Sequence, residues 1–163
     1  MIRLAEAGDI PAILKIFEAA RGYMRSHGNN VQWVNGYPGE ELLRNDVERA
    51  QLYVMEDEDG RPYGAFAFII GPDPTYAYIE NGSWLDDSEY GTIHRLGSDG
   101  IPKEVFRECM DYCKEQIPHL RLDTHAVNAT LQHLARREGF VETGVIYVAD
   151  GTPRVAFEWL KEM

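Results

Sequence analysis

Residues His119 to Phe140, HLRLDTHAVNATLQHLARREGF, change hydrophobic period once, and that change restricts the folds open to the chain. Leu120 and Leu122 alternate with Arg121 and Asp123, the two-residue period of a strand. From Asn128 the apolar positions Leu131, Leu134 and Ala135 follow helical spacing, and Asn is among the residues that cap a helix N-terminus. Gly139 falls where a helix stops in the left-handed conformation, and Phe140 begins a β-branched and aromatic run that returns to the sheet. The stretch predicts strand, turn, helix and strand.

The rest of the chain supplies the partners of that unit. Met1 to Ala5 predicts a first strand. Asp9 is placed to cap a helix whose core stripe is Ile10, Ile13, Leu14, Phe17, Ala20 and Met24, with Pro11 in its first turn. Ser26 to Gly39 is rich in Gly, Asn and Pro yet carries Trp33 and Tyr37, which either line a pocket or plug the edge of the core. A second helix over Glu40 to Ala50 leads to a strand over Gln51 to Met55. The acidic turn Asp57 to Gly60 then joins it to a dense aromatic and β-branched strand, Tyr63 to Ile70. Tyr90 to Gly97 is a further strand. Ser98 or Asp99 can cap a helix that runs through Val105, Phe106, Cys109 and Cys113 to about Gln116. Asp150-Gly151 joins a closing strand pair, Val141 to Ala149 and Arg154 to Leu160. The fold class is α/β (α+β): a mixed, mostly antiparallel sheet of six to seven strands flanked by about four helices.

With 163 residues, 44% of them hydrophobic, the chain predicts a single domain over residues 1–163. It shows neither a membrane-spanning run nor a secretion-type start, which predicts a cytoplasmic protein. Cys109 and Cys113 lie four apart on one helix face with apolar neighbours, the spacing of buried thiols. A formal net charge of −11 argues against nucleic acid or an anionic membrane as partner, and leans toward a cationic substrate.

The spacing of Asn128, Leu131, Leu134 and Gly139-Phe140 resembles the acceptor-side motif of the GNAT N-acetyltransferase superfamily, and the order of elements is similar over nearly the whole chain. The resemblance implies acetyl-CoA as co-substrate and an acetyl group moved directly to a primary amine on a small molecule or peptide. It places His94, Arg95 and Leu96 beside the thioester, and Gly100, Ile101, Lys103 and Val105 at the pyrophosphate, with Asn128 opposite. Ile101, Glu104 and Phe106 stand where the family usually has Arg or Gln and small residues, so that Glu104 sets negative charge and Phe106 bulk near the phosphates. Ala135 stands where the family often has a tyrosine acid. These departures motivate the alternative of a non-catalytic ligand-binding or regulatory module with weakened coenzyme A binding.

Two residues are candidates for the proton acceptor. Glu80 lies among Tyr78 and Trp84, where an apolar setting would raise a carboxyl pKa toward the range of a general base. The imidazole of His94 is a residue type that titrates near neutral pH, although a sheet histidine satisfied by its neighbours reads equally well. A third reading, a metal-dependent hydrolase using His94, Asp123, His125 and His133, lacks ligand spacing. Edge strands from the last hairpin are compatible with a homodimer.

Overall fold

The structure, a computed structural model, describes residues 1–29, 32–100 and 104–162. Seven strands are β1 (Ile2–Leu4), β2 (Leu52–Glu56), β3 (Pro62–Ile70), β4 (Gly91–Ser98), β5 (His119–Thr124), β6 (Val141–Tyr147) and β7 (Pro153–Leu160). Four helices are α1 (Ile10–Ser26), α2 (Glu40–Glu48), α3 (Val105–Gln116) and α4 (Ala129–Arg137). The strands form one sheet in the order β1-β2-β3-β4-β5-β7-β6. β4 and β5 run parallel, pairing Gly91 with Leu120 and Thr92 with Arg121, whereas β1–β2, β2–β3, β5–β7 and β6–β7 are antiparallel. This is the mixed, mostly antiparallel sheet with four helices that the sequence predicts.

The chain groups into two compact units. The first holds residues 1–68 and 94–109, and its core is built on α1. Ile10, Ile13 and Phe17 are buried against Leu43 of α2, Leu52 and Val54 of β2, Ala65 of β3 and Trp33 of the α1–α2 loop. Complete burial of one such side chain contributes about 1.5–3 kcal/mol, so this stripe anchors the unit. Asp9 precedes α1 but makes no side-chain cap to it. Its carboxylate instead accepts the Glu6 amide at 2.7 Å and two bonds from Arg3 at 2.9 Å. Arg3 also reaches Glu56, so two carboxylates compete for one guanidinium.

The second unit holds residues 69–93 and 110–163. Here β5, β7 and β6 carry a long connector, residues 71–90, whose Tyr76 and Tyr90 are buried with Ile146 and Ala156, with Ile79 and Trp84 packed against them. Glu80 exchanges both backbone hydrogen bonds with Val145 of β6, at 3.0 and 2.8 Å. The approach is so close that a Cβ on Gly82 would lie 1.9 Å from the Thr143 carbonyl oxygen, and one on Gly144 would lie 2.7 Å from that of Glu80. Only glycine fits at either position, and this fastens the connector to the sheet.

Under the connector lies a buried ionic cluster. The Glu158 carboxylate accepts the Leu85 amide at 2.6 Å, His119 Nε2 at 2.5 Å and Arg121 Nε at 3.3 Å. The Arg121 guanidinium sits 4.1 Å from the ring centre of Trp84 and 4.0 Å from that of Tyr90, and it donates to the Asp86 carbonyl. The opening stretch of the sequence behaves as expected: Asn128 Oδ1 accepts the Leu131 amide at 3.1 Å, and Gly139 ends the helix at φ 92°.

Candidate functional site

In the first unit the candidate residues gather on β4. His94, Arg95 and Leu96 are consecutive on the strand and all half-buried. Arg95 has φ 55°, a left-handed conformation inside a strand, so the extended backbone is interrupted between His94 and Leu96. The side chain explains how that conformation is held. Arg95 Nε and Nη2 each donate at 2.9 Å to the two carboxylate oxygens of Asp46, a fully buried residue of α2, and Nη1 is 3.5 Å from the Tyr37 hydroxyl. Burial works against the guanidinium charge, and Tyr37 and Asp46 outweigh it, so the Arg95 pKa is raised. Strand β4 is thereby tied to α2 by a bidentate ion pair.

Beyond the interruption Gly97 is pressed against α1 and its loop: a Cβ there would meet Phe17 Cδ1 at 2.7 Å and Trp33 Cη2 at 3.1 Å. Trp33 packs edge-on to Phe17, with ring centres 5.0 Å apart. It both plugs the core and walls a cleft, so the two sequence readings of this loop hold together; Tyr37 remains exposed.

At the start of α3, Ile101 and Lys103 lie outside the described residues. Gly100 is exposed with φ 84°, and its amide donates to Ser98 Oγ at 3.0 Å. Val105 and Phe106 are buried, so the Phe106 ring turns inward. Glu104 points outward, 4.0 Å from Arg107, and its charge is partly matched on its own helix. A helix of this length presents unsatisfied amides and a positive dipole end at its start.

In the second unit Glu80 is half-buried and bracketed by two phenols. Tyr147 and Tyr78 both donate to its carboxylate, Tyr78 at 2.8 Å, and the two rings stack with centres 6.4 Å apart. These bonds, that from Tyr147 first, lower the Glu80 pKa below the ordinary glutamate value. The expected upward shift is therefore reversed: the aromatic neighbours act through their hydroxyls, not through an apolar surface. Both phenol pKa values are raised by the same carboxylate. From the sequence Tyr147, in the last hairpin, is a candidate for core or edge packing or for the cleft, and its pairing with Glu80 is not legible across 67 positions.

Asn128 is taken into the α4 cap through its carboxamide oxygen, and Ala135 is fully buried. Tyr76, buried, donates to Asp123 at 2.7 Å, and desolvation followed by that carboxylate holds its pKa well above normal. His125, its pKa lowered by burial and then by Arg154, accepts the Val127 amide. Among the described residues no group of three His, Cys, Asp or Glu side chains is placed to hold a metal ion, and no helix is long and apolar enough to cross a membrane.

No protein-family model matches the sequence, and neither does any curated protein. Solved structures do. A GNAT-family acetyltransferase from Streptococcus agalactiae is 29% identical over 100% of this chain and 96% of its own, with a TM-score of 0.87. A GNAT-family acetyltransferase from Listeria monocytogenes, 18% identical, covers 98% of this chain and 94% of its own at a TM-score of 0.73. A GNAT phosphinothricin acetyltransferase from Sinorhizobium meliloti, solved with AcCoA, is 16% identical, covers 99% of this chain and 89% of its own, and has a TM-score of 0.64. The chain has the fold of the GNAT-family acetyltransferases and is similar to them over its whole length.

Proposed function

We propose that residues 1–163 act as one acetyl-CoA-dependent N-acetyltransferase domain that moves an acetyl group directly to a primary amine. The observation that carries this reading, beyond the likeness to GNAT acetyltransferases, is the inward turn of Val105 and Phe106, which keeps their side chains off the start of α3, where a helix favours an anion. When bound, acetyl-CoA supplies the thioester carbonyl that the amine attacks. Backbone groups at Arg95 and Leu96 are suited to hold the pantetheine arm, because the left-handed turn at Arg95 takes them out of regular strand geometry. Gly100 and Val105, with Ile101 and Lys103 of the same stretch, are the proposed phosphate contacts, and Asn128 is the proposed contact from the start of α4.

Two residues are proposed as proton acceptors. Glu80 is held ionised by Tyr147 and Tyr78, which suits it to attract an ammonium group but makes it a weaker base than an unperturbed glutamate. His94, next to the turned backbone of β4, is the second. The partners proposed are a small-molecule or peptide amine, with neither nucleic acid nor membrane.

Acetyl-CoA titration by calorimetry, paired with a thermal-shift series, tests the reading. Saturable binding with a rising Tm is expected; no binding at millimolar acetyl-CoA would favour the non-catalytic module. With an accepted amine in hand, E80Q and H94Q separate the two bases: the true acceptor's variant loses about a hundredfold or more in kcat.

A further inference from the structure

Within the second unit an exposed serine ends a chain of hydrogen bonds that is otherwise buried. Ser88 lies in the connector ahead of β4, and its Oγ is 3.1 Å from Nδ1 of His119, the first residue of β5. His119 Nε2 is in turn 2.5 Å from the Glu158 carboxylate of β7. The histidine is 1% exposed and Glu158 is fully buried, so the serine is the solvent-facing end of the series.

The partners settle which nitrogen does what. A carboxylate has no proton to donate, so Nε2 carries the hydrogen that His119 shares with Glu158. Nδ1 of the neutral ring is then an acceptor, and the Ser88 hydroxyl is its donor. The Ser88 carbonyl oxygen also lies 3.1 Å from Nδ1, and it can only accept. Nδ1 therefore has a donor while the ring is neutral and an acceptor once it has taken a proton, with Glu158 facing the imidazolium from the other side. Around the ring, Tyr90 stands edge-on with centres 5.7 Å apart, and Arg121 donates to Glu158 and to the Asp86 carbonyl. The Asp86 carboxylate accepts the Ser88 amide at 2.7 Å and is also bonded by the Ser88 side chain. Those bonds hold it below the usual carboxylate range, which makes it a poor acceptor for the hydroxyl proton. The amide of Glu89, next in the chain, donates to no acceptor among the described residues. In serine hydrolases the amide that follows the nucleophile is one of the donors to the developing oxyanion.

We propose that Ser88, His119 and Glu158 form a hydrolytic relay for small acyl esters, with Ser88 the nucleophile, His119 its base and Glu158 the group that orients the imidazole. Such a series is defined by geometry and roles, not by position in the sequence, and here its members come from the connector, β5 and β7. In the first step Ser88 Oγ bonds to the ester carbonyl carbon while its proton passes to His119 Nδ1. The bond from that carbon to the leaving alcohol oxygen breaks, and the alcohol takes the proton from Nδ1. Water then attacks acyl-Ser88 and gives a proton to Nδ1; the acyl group departs as a carboxylic acid, and the proton returns to Oγ. The balance needs only the ester and water. The relay lies wholly in the second unit and does not rest on the acetyl-transfer reading.

The test incubates the full chain with p-nitrophenyl acetate in the absence of acetyl-CoA, follows nitrophenolate release, and locates acetylated residues by peptide mass spectrometry. Ser83, exposed in the same connector but outside the relay, is the internal control. Acetylation of Ser88 is expected to run about a hundredfold faster than that of Ser83, the scale of general-base assistance, and the preference should vanish in urea. Release should continue past one equivalent and fall by about tenfold or more in S88A, an exposed substitution. H119Q is expected to abolish the preference for Ser88. The urea comparison reads the same dependence on the folded relay without altering the buried cluster, so the test stands even where H119Q does not fold. Equal labelling of the two serines, a preference that persists in urea, release that stops at one equivalent, or a rate unchanged in S88A overturns the proposal.

Discussion

Arg95 and Asp46 lie 49 residues apart in sequence and meet through two parallel hydrogen bonds of 2.9 Å. Asp46 is fully buried, and Arg95 carries its charge largely out of water. Removing one member of such a pair strands the other, so R95A is expected to destabilise the protein by about 3 kcal/mol, measured by urea unfolding. R95K, which keeps the charge but not the fork, should recover only part of this loss. A destabilisation below about 0.5 kcal/mol for R95A would mean the pair does not hold the turned backbone of β4.

Glu80 provides a pH test. Its folded pKa is lowered by the Tyr147 and Tyr78 hydroxyls, so the carboxylate persists to a lower pH than an isolated glutamate. Y147F removes the larger contribution, and the titration midpoint of Glu80 should move up toward the ordinary glutamate value. Side-chain carboxyl ¹³C shifts followed across the acid range measure this directly. If Glu80 accepts the substrate proton, the acid limb of kcat/KM moves in the same direction in Y147F.

The Arg3–Asp9 pair predicts a pH dependence of stability. Asp9 is lowered by its hydrogen bonds from Arg3, against a smaller opposing effect of burial. A group whose pKa falls on folding contributes stability above its unfolded pKa, and that contribution disappears as pH drops through the folded value. D9N should therefore lower stability near neutral pH and lose its effect in acid. With Arg3 more than a third exposed, the difference at neutral pH should be about 1 kcal/mol or less. Tm measured for both proteins across an acid-to-neutral series checks the sign.

The buried Glu158 carboxylate accepts from the Leu85 amide, His119 and Arg121. E158A leaves the Arg121 guanidinium and the Leu85 amide without their carboxylate inside the second unit, and about 3–5 kcal/mol of destabilisation is expected. E158Q, of nearly equal volume, should cost less because its amide oxygen still accepts one of these bonds. Thermal unfolding of the two variants side by side separates the loss of charge from the loss of volume.

Much of the fold was legible because its signals are local. The Asn128 cap and the Gly139 stop each depend on a few neighbouring residues, and the helical and strand periods on either side obey them. Ile16 escaped the α1 stripe because a wide apolar face includes positions that a narrow stripe omits. Asp9 was legible as a residue of the helix entrance but not as the partner of Arg3, since its carboxylate is claimed by a strand residue that no local rule weighs. The candidate site was less legible for the same reason. Whether Tyr residues raise or lower the pKa of Glu80 depends on whether their rings or their hydroxyls face it, and one of the two is supplied by β6. The left-handed backbone at Arg95 has no local signature, because arginine carries no preference for it; the distant Asp46 selects it. The inward turn of Phe106 likewise follows from the face that α3 presents to the core.

Both cysteines of the chain, Cys109 and Cys113, are thiols fully buried on α3. Thiols shielded in this way react slowly with disulfide reagents while the protein stays folded. Under the proposed acetyl transfer, the coenzyme A thiol released could thus be followed colorimetrically against a low background from the protein itself, and a burst of protein thiol in such an assay would report unfolding before any loss of rate is interpreted as chemistry.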